Sequence, residues 1–126
     1  MTTREEIELA GRLLEARPHL QSLGRLFAGT VLIEIDGEES YVAFEKGRIA
    51  SVVAGPSRKT PWIFAIRTDA AALQLFWTKL PPPGFHDIFA LAKIGRLRFE
   101  GDILALVRNL RFFKEVLALP RVEACR

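Results

Sequence analysis

The sequence predicts an α+β fold: a five-stranded, mixed but mainly antiparallel sheet with helices covering one face. Helical apolar spacing fills the first 27 residues and returns after Thr68. Between them, from Thr30 onward, apolar residues recur at every second position. Asp36-Gly37 and Lys46-Gly47 punctuate that stretch as hairpin turns. With 126 residues the chain is long enough for one domain and short for two.

In chain order, Thr3-x-x-Glu6 reads as a capping box, followed by a stripe of Ile7, Ala10, Leu13 and Leu14. Pro18 ends this helix by pushing Arg17 out of the α region. A second helix, Pro18 to Phe27, presents Leu20, Leu23, Leu26 and Phe27. Strands follow at Thr30 to Ile35, Tyr41 to Lys46, Arg48 to Ala54 and Trp62 to Arg67, with a polar loop before the last. Thr68-Asp69 caps a helix that runs to Leu80 and ends at Pro81-Pro82-Pro83. Another helix spans Phe85 to Lys93, the fifth strand Arg96 to Glu100, and a final helix Ile103 to Leu119.

Composition narrows the function classes. Hydrophobic residues make up 49% of the chain, which argues against disorder. Nine Phe against one Tyr favour a dry interior. The single cysteine, Cys125, forms no internal disulfide and supplies no thiolate cluster, which fits a reducing, cytoplasmic setting. No signal peptide and no window of about 20 apolar residues is visible. The net charge of +3 permits an anionic partner without requiring one.

The strongest functional signal is the Asp69–Leu80 helix, apolar around nearly its whole circumference, with Phe85, Ile88, Phe89, Leu91 and Ala92 in the next helix. Such a helix either is buried on both sides or faces a sheet on one side and a cavity on the other. The pattern leaves both open; the shortage of elements to cover the second face favours a cavity between Trp62 and Leu119. In the last helix, Ile103, Leu106, Val107, Leu110, Phe113 and Leu117 form the expected buried stripe. Phe112 and Val116 fall on another face beside Arg108 and Arg111, as a portal, a dimer seam, a membrane-touching surface or scattered exposed residues.

Other chemistries are poorly supported. Gly55-Pro56-Ser57-Arg58-Lys59-Thr60 resembles a phosphate loop but has Arg58 where the second glycine belongs, and a strand follows it. His19 and His86 belong to no nucleophile elbow or ligand pair, and Asp87 does not orient the ring of its neighbour. Catalytic, cofactor and metal sites are therefore not expected. Arg96, Arg98, Arg108, Arg111, Lys114 and Arg121 lack interleaved aromatic platforms and read as a solvated face, not a nucleic-acid site.

Helix, helix, then Ile94-Gly95-Arg96-Leu97-Arg98-Phe99-Glu100-Gly101-Asp102, then an amphipathic helix, resembles the sterol carrier protein type 2 (sterol-binding) domain family. The meander before it, with Gly47 opening the third strand, is similar too, so the resemblance covers roughly Phe27 to Leu119. It implies residues 1–28 as an N-terminal helical segment, 29–120 as the lipid-binding domain and 121–126 as a tail. It implies non-catalytic binding or carriage of a fatty acyl, sterol, hopanoid or prenylated molecule in an internal tunnel. By position the tunnel is lined by Phe64, Leu73, Phe76, Trp77, Phe85, Ile88, Phe89, Leu104, Val107 and Phe113.

The ending Ala124-Cys125-Arg126, unlike a Ser-Lys-Leu peroxisomal address, fits a bacterial stand-alone member. The family also includes accessory proteins of ubiquinone biosynthesis, a branch that the N-terminal helical pair suits. Transient contact with an anionic membrane surface and a homodimer are further expectations. The rival reading is an interaction or dimerisation module without a ligand, pairing through Phe112 and Val116. A weaker one is a hydrolase or transferase subunit whose nucleophile comes from a partner.

Overall fold

A computed structural model describes residues 3–55, 60–78 and 80–124. Helices α1 (Thr3–Glu15) and α2 (Pro18–Gly24) precede strands β1 (Gly29–Ile35), β2 (Glu38–Glu45), β3 (Arg48–Ala54) and β4 (Phe64–Thr68). Helices α3 (Ala70–Phe76) and α4 (Ile88–Lys93), strand β5 (Leu97–Gly101) and helices α5 (Ile103–Arg108), α6 (Leu110–Leu117) and α7 (Leu119–Ala124) complete the chain. The capping role of Thr3, the Pro56–Lys59 part of the basic loop and Cys125 lie outside the residues whose side chains are described.

The sheet order is β3-β2-β1-β4-β5. β1 pairs with β4 in parallel and the other three ladders are antiparallel, so the expected five-stranded mixed sheet is the one observed. Both hairpin turns carry two successive positive φ angles, at Asp36 (53°) and Gly37 (82°), then at Lys46 (53°) and Gly47 (78°). Their twist matches that of the flanking strands. At Gly47 a side chain is also excluded by space, since a Cβ would lie 2.0 Å from the Gln21 carbonyl oxygen.

One face of the sheet is covered by helices. Val31, Ile33, Ile35, Val42, Phe44, Phe64, Ile66 and Leu97 point into a core with Ile7, Leu14, Leu73, Phe76, Ile88, Leu106 and Val116. Residues of the N-terminal helical segment therefore share one core with the rest. The other face carries a small cluster of Leu32, Tyr41 and Ala65 under Trp62, beside an ion-paired row in which Arg67 joins Glu34 on β1 and Glu100 on β5.

Helices end earlier, and break more often, than periodicity alone predicts. The helix expected to reach Leu80 stops at Phe76 because Trp77 turns out of it and donates its indole N–H to the Leu117 carbonyl at 2.8 Å. The Arg121 guanidinium donates to the Phe76 carbonyl from the α7 side (Nε–O 2.8 Å), so this part of the expected tail is helical and docked. The next helix begins at Ile88, not Phe85, because Asp87 is its cap: Oδ1 accepts from the Phe89 and Ala90 amides at 2.8 Å.

The last helix is three helices. Asn109, with φ −119° and ψ 29°, breaks it, and its side-chain amide donates to the Ala105 carbonyl at 2.9 Å. Local side-chain hydrogen bonding of this kind competes with helix continuation. The break re-phases everything after it. Phe112 and Val116, expected on a separate face, are each 1% exposed and lie in the core. Ile103 and Val107, expected in the buried stripe, are 40% and 51% exposed. Interaction through Phe112 and Val116 is thereby ruled out as a surface contact.

Five phenyl rings lock α2, α6 and the sheet together. Phe113 meets Phe27, Phe44, Phe64 and Phe112 at 5.0–5.3 Å between centroids, at interplanar angles of 71–88°. Edge-to-face pairs of this kind add about 0.5–1.5 kcal/mol each beyond area burial. Phe113→Ala should therefore cost about 3–5 kcal/mol, the range for a fully buried ring. Urea unfolding followed by circular dichroism measures it; a loss under about 1 kcal/mol would contradict the central place of the ring.

Candidate ligand-binding site

The apolar helix α3 lies over the sheet where β1, β4 and β5 present Ile33, Ile35, Ile66, Thr68 and Leu97. Asp69 fixes its start: Oδ1 accepts from the Ala72 amide at 2.7 Å and from Arg96 Nη2 at 3.0 Å. Asp36, in the β1–β2 turn, accepts from the Ala70 amide at 3.1 Å. Both carboxylates meet the positive end of the helix, where anionic groups are favoured. At its other end the Trp77 and Arg121 hydrogen bonds tie α3 to α6 and α7.

Between these anchors is an apolar cavity of about 30 Å³. Its walls are Ile7 of α1, the five sheet residues, Leu73, Phe76 and Trp77, Ile88 of α4 and Leu117 of α6. Thr68 is the one polar residue, and its hydroxyl already donates to the Arg96 carbonyl at 2.7 Å. A second cavity of about 20 Å³ continues toward β2 and β3, past Val42, Phe44 and Ile49. The two share Ile7, Ile33, Trp77 and Leu117 as walls. Together they hold about one to three waters' worth of space. Pockets that engulf small ligands run to roughly 300–1,000 Å³, so these cavities are too small to hold a ligand of that size.

Of the residues expected to line a tunnel, Leu73, Phe76, Trp77 and Ile88 meet around the larger cavity. Phe64 and Phe113 stand apart from it, in the cluster of five rings. Phe85 lies under the Arg96 guanidinium, 5.7 Å from its ring centre. Phe89 stacks on Phe99 at 5.0 Å, with the Lys114 ammonium over it. Leu104 (56% exposed) and Val107 face outward on α5 and do not line the cavity, because the break at Asn109 turns that side of α5 to solvent. The sequence reading left Ile7, Ile33, Ile35, Ile66, Thr68, Leu97 and Leu117 out of the lining. Period-two alternation points Ile33 and Ile35 of β1 to one face of the sheet, but nothing local says that α3 lies above them.

The remaining polar candidates are dispersed. His19 borders a solvent-open groove between the α1–α2 turn and α6–α7, whereas His86 is exposed beside the α4 cap. Arg96 pairs with Asp69, Lys114 with Asp87 at 3.5 Å, and Arg98 with Glu100 at 3.6 Å. Among the described residues, no three His, Cys, Asp or Glu side chains gather as a metal-binding group. No described helix is long and apolar enough to cross a membrane.

No protein-family model matches this sequence, and no curated protein does. Solved structures match it closely in shape. Sterol carrier protein 2 superposes with a TM-score of 0.72 at 16% identity, over 93% of this chain and 94% of the other. A UbiJ-SCP2 ubiquinone synthesis protein gives 0.61 at 20% identity, over 95% and 91%. Palmitated SCP2L2 from Aedes aegypti gives 0.54 at 16% identity, over 89% and 95%. The chain has the sterol carrier protein 2 fold, as the resemblance around Gly101-Asp102 implied.

The cap of α3 gives a pH test. The Arg96 hydrogen bond, and after it the Ala72 amide, hold the Asp69 carboxyl below the usual carboxylate range. A depressed carboxylate contributes stability above its unfolded value, near about 3.9, and loses it as pH falls through the folded value. Asp69→Asn should therefore be less stable than the parent at neutral pH, and the gap should close below about pH 4. Urea midpoints across that range measure it; a gap independent of pH would show that the charge on Asp69 contributes nothing.

Proposed function

We propose that this chain binds an apolar, lipid-like molecule between the sheet and helices α1, α3, α4 and α6, and carries it without chemical change. The observation that carries the reading is the pair of adjoining cavities, walled almost wholly by aliphatic and aromatic side chains, with the Thr68 hydroxyl already satisfied and Glu6 the one charged residue, at the second cavity. Apart from Glu6, such a lining offers no directional polar contact. It discriminates by apolar area, and each buried methylene contributes about 0.8 kcal/mol. About ten would supply the 8 kcal/mol of a micromolar complex, less the cost of opening the site.

Opening must come from the walls. Trp77, Leu117, Ile7 and Ile33 separate the two cavities, so outward movement of α1 or rotation of Trp77 would join them. The shared fold with a palmitated protein supports a fatty acyl chain as the occupant. The UbiJ-SCP2 likeness supports a second reading, a prenylated precursor of ubiquinone. Residues 29–120 form the proposed ligand-binding domain, with α1 as one wall of its site.

Native mass spectrometry of freshly purified protein should reveal a co-purifying lipid, and a fluorescent fatty acid should bind saturably. Displacement by palmitate against displacement by a polyprenyl phenol separates the two readings. Leu73→Trp, which fills the larger cavity at a cost of about 1–3 kcal/mol, should weaken binding about tenfold or more while the fold persists. Neither co-purified lipid nor saturable binding in the parent protein would sink the proposal.

A further inference from the structure

The two edges of the sheet are not alike. β5, at one edge, carries Arg98 and Glu100, and its Phe99 is covered by the Phe89 ring. β3, at the other, has a charge only at Arg48; from Ile49 to Ala54 it is uncharged and free of proline. Edge strands are ordinarily guarded by charges, proline or bulges, because their outer backbone groups can pair with another strand. The bulge in the β2–β3 ladder lies between Ala43 and Phe44 and leaves Ser51 to Ala54 in regular register.

Which backbone groups of β3 face outward follows from its register. The Gly55 amide donates to the Glu39 carbonyl at 2.9 Å, one pair beyond Ser40 and Ala54. Hydrogen-bonded and non-hydrogen-bonded pairs alternate along an antiparallel ladder. Val53 and Ser51 therefore bond to β2, and the N–H and C=O groups of Val52 and Ala54 point away from it. Among the described residues, no turn or loop backbone group bonds to Val52 or Ala54.

A trough runs along this edge, between β3 and α1. Gly11 of α1 faces Ile49, where a Cβ would lie 3.5 Å from the isoleucine Cβ, and Glu15 pairs with Arg48 at 3.4 Å. One groove, of about 370 Å³, sets Ser51 and Val52 against Glu8 and Arg12. Another, of about 400 Å³, sets Arg48 and Ala50 against Gln21 and the Glu45-Lys46 turn. The two share Glu15 and Ile49, so together they follow β3 from Arg48 to Val52. A free strand edge beside such a groove is what β-strand addition uses: main-chain bonds hold the incoming strand, and flanking side chains select it.

The charges on the rim define the strand that fits. Glu8, Arg12, Glu45 and Lys46 are exposed and form no ion pair among the described residues. Both signs are present, which suits neither an anionic bilayer nor a nucleic acid. Glu8 and Arg12 are four residues apart, about 6 Å along the helix axis. Side chains two apart on a strand share a face and are about 6.7 Å apart, so a basic and an acidic residue at that spacing would meet both. β3 of a second copy has only uncharged residues after Arg48 to set against this pair. We infer that the β3–α1 trough binds an extended segment of a partner protein as a sixth strand, with a basic and an acidic residue two positions apart facing α1.

A display library of seven-residue peptides, with valine or threonine at alternate positions and the others random, tests this against the whole chain. Selected peptides should carry opposite charges two positions apart, and the Val52 and Ala54 amides should gain hydrogen-exchange protection when one binds. Val52→Pro removes an outward N–H and no ladder bond, and should weaken a selected peptide at least about tenfold. Glu8→Lys with Arg12→Glu should weaken it about as much, and a peptide with its two charges exchanged should recover the loss. Both of these side chains are exposed, so the charge reversal keeps the test decisive even where Val52→Pro fails to fold. Selection without opposite charges at that spacing, protection confined to other strands, or a double variant that binds as the parent does would overturn the assignment. So would a concentration-dependent dimer that protects the same amides.

Discussion

The fold depends on covering one face of a five-stranded sheet with short helices, and the interlocked phenyl rings make that possible. Phe27 comes from the entrance to β1, Phe44 from β2, Phe64 from β4, and Phe112 and Phe113 from α6. No single hairpin contains the cluster, so it forms only when the parallel β1–β4 pair has closed. Once it has formed, α2 and α6 are held at one end of the sheet, and α3 is left to cover the other.

That division explains why the two ends differ. Rings meeting edge to face fill space densely, and neither of the two internal cavities is lined by Phe27, Phe64, Phe112 or Phe113. The other end is roofed by α3, a helix of seven residues held at its termini by Asp69, Trp77 and Arg121. Aliphatic side chains of varied length meet there from seven different elements, and the small cavities lie between them. A region fixed at its ends and loosely filled in the middle is the one that can open at least cost.

The break at Asn109 has the widest consequences of any local feature. A continuous helix would have kept Ile103 and Val107 inside and put Phe112 outside. Two helices with different phases reverse this: Phe112 completes the ring cluster, and the face of α5 becomes an exposed apolar ridge. A single amide hydrogen-bonding backward thus separates the buried face of α6 from the exposed face of α5.

The sequence by itself determined the class, the five strands, both glycine turns and the approximate place of every helix but α7, because these rest on local periodicity and turn chemistry. It also pointed to the α3 region, through a helix too apolar for a surface, and to the fold, through the Gly101-Asp102 stretch. It did not determine where the helices stop. Trp77, Asp87 and Asn109 act there through hydrogen bonds, one of them to a residue forty positions away. Nor did it say which side of the final helix faces in, since one break shifts the phase of every later residue. Whether the apolar surplus is core or cavity is likewise a tertiary property: it depends on how closely α1, α3 and α6 approach the sheet, and in this structure they leave space for only a few waters.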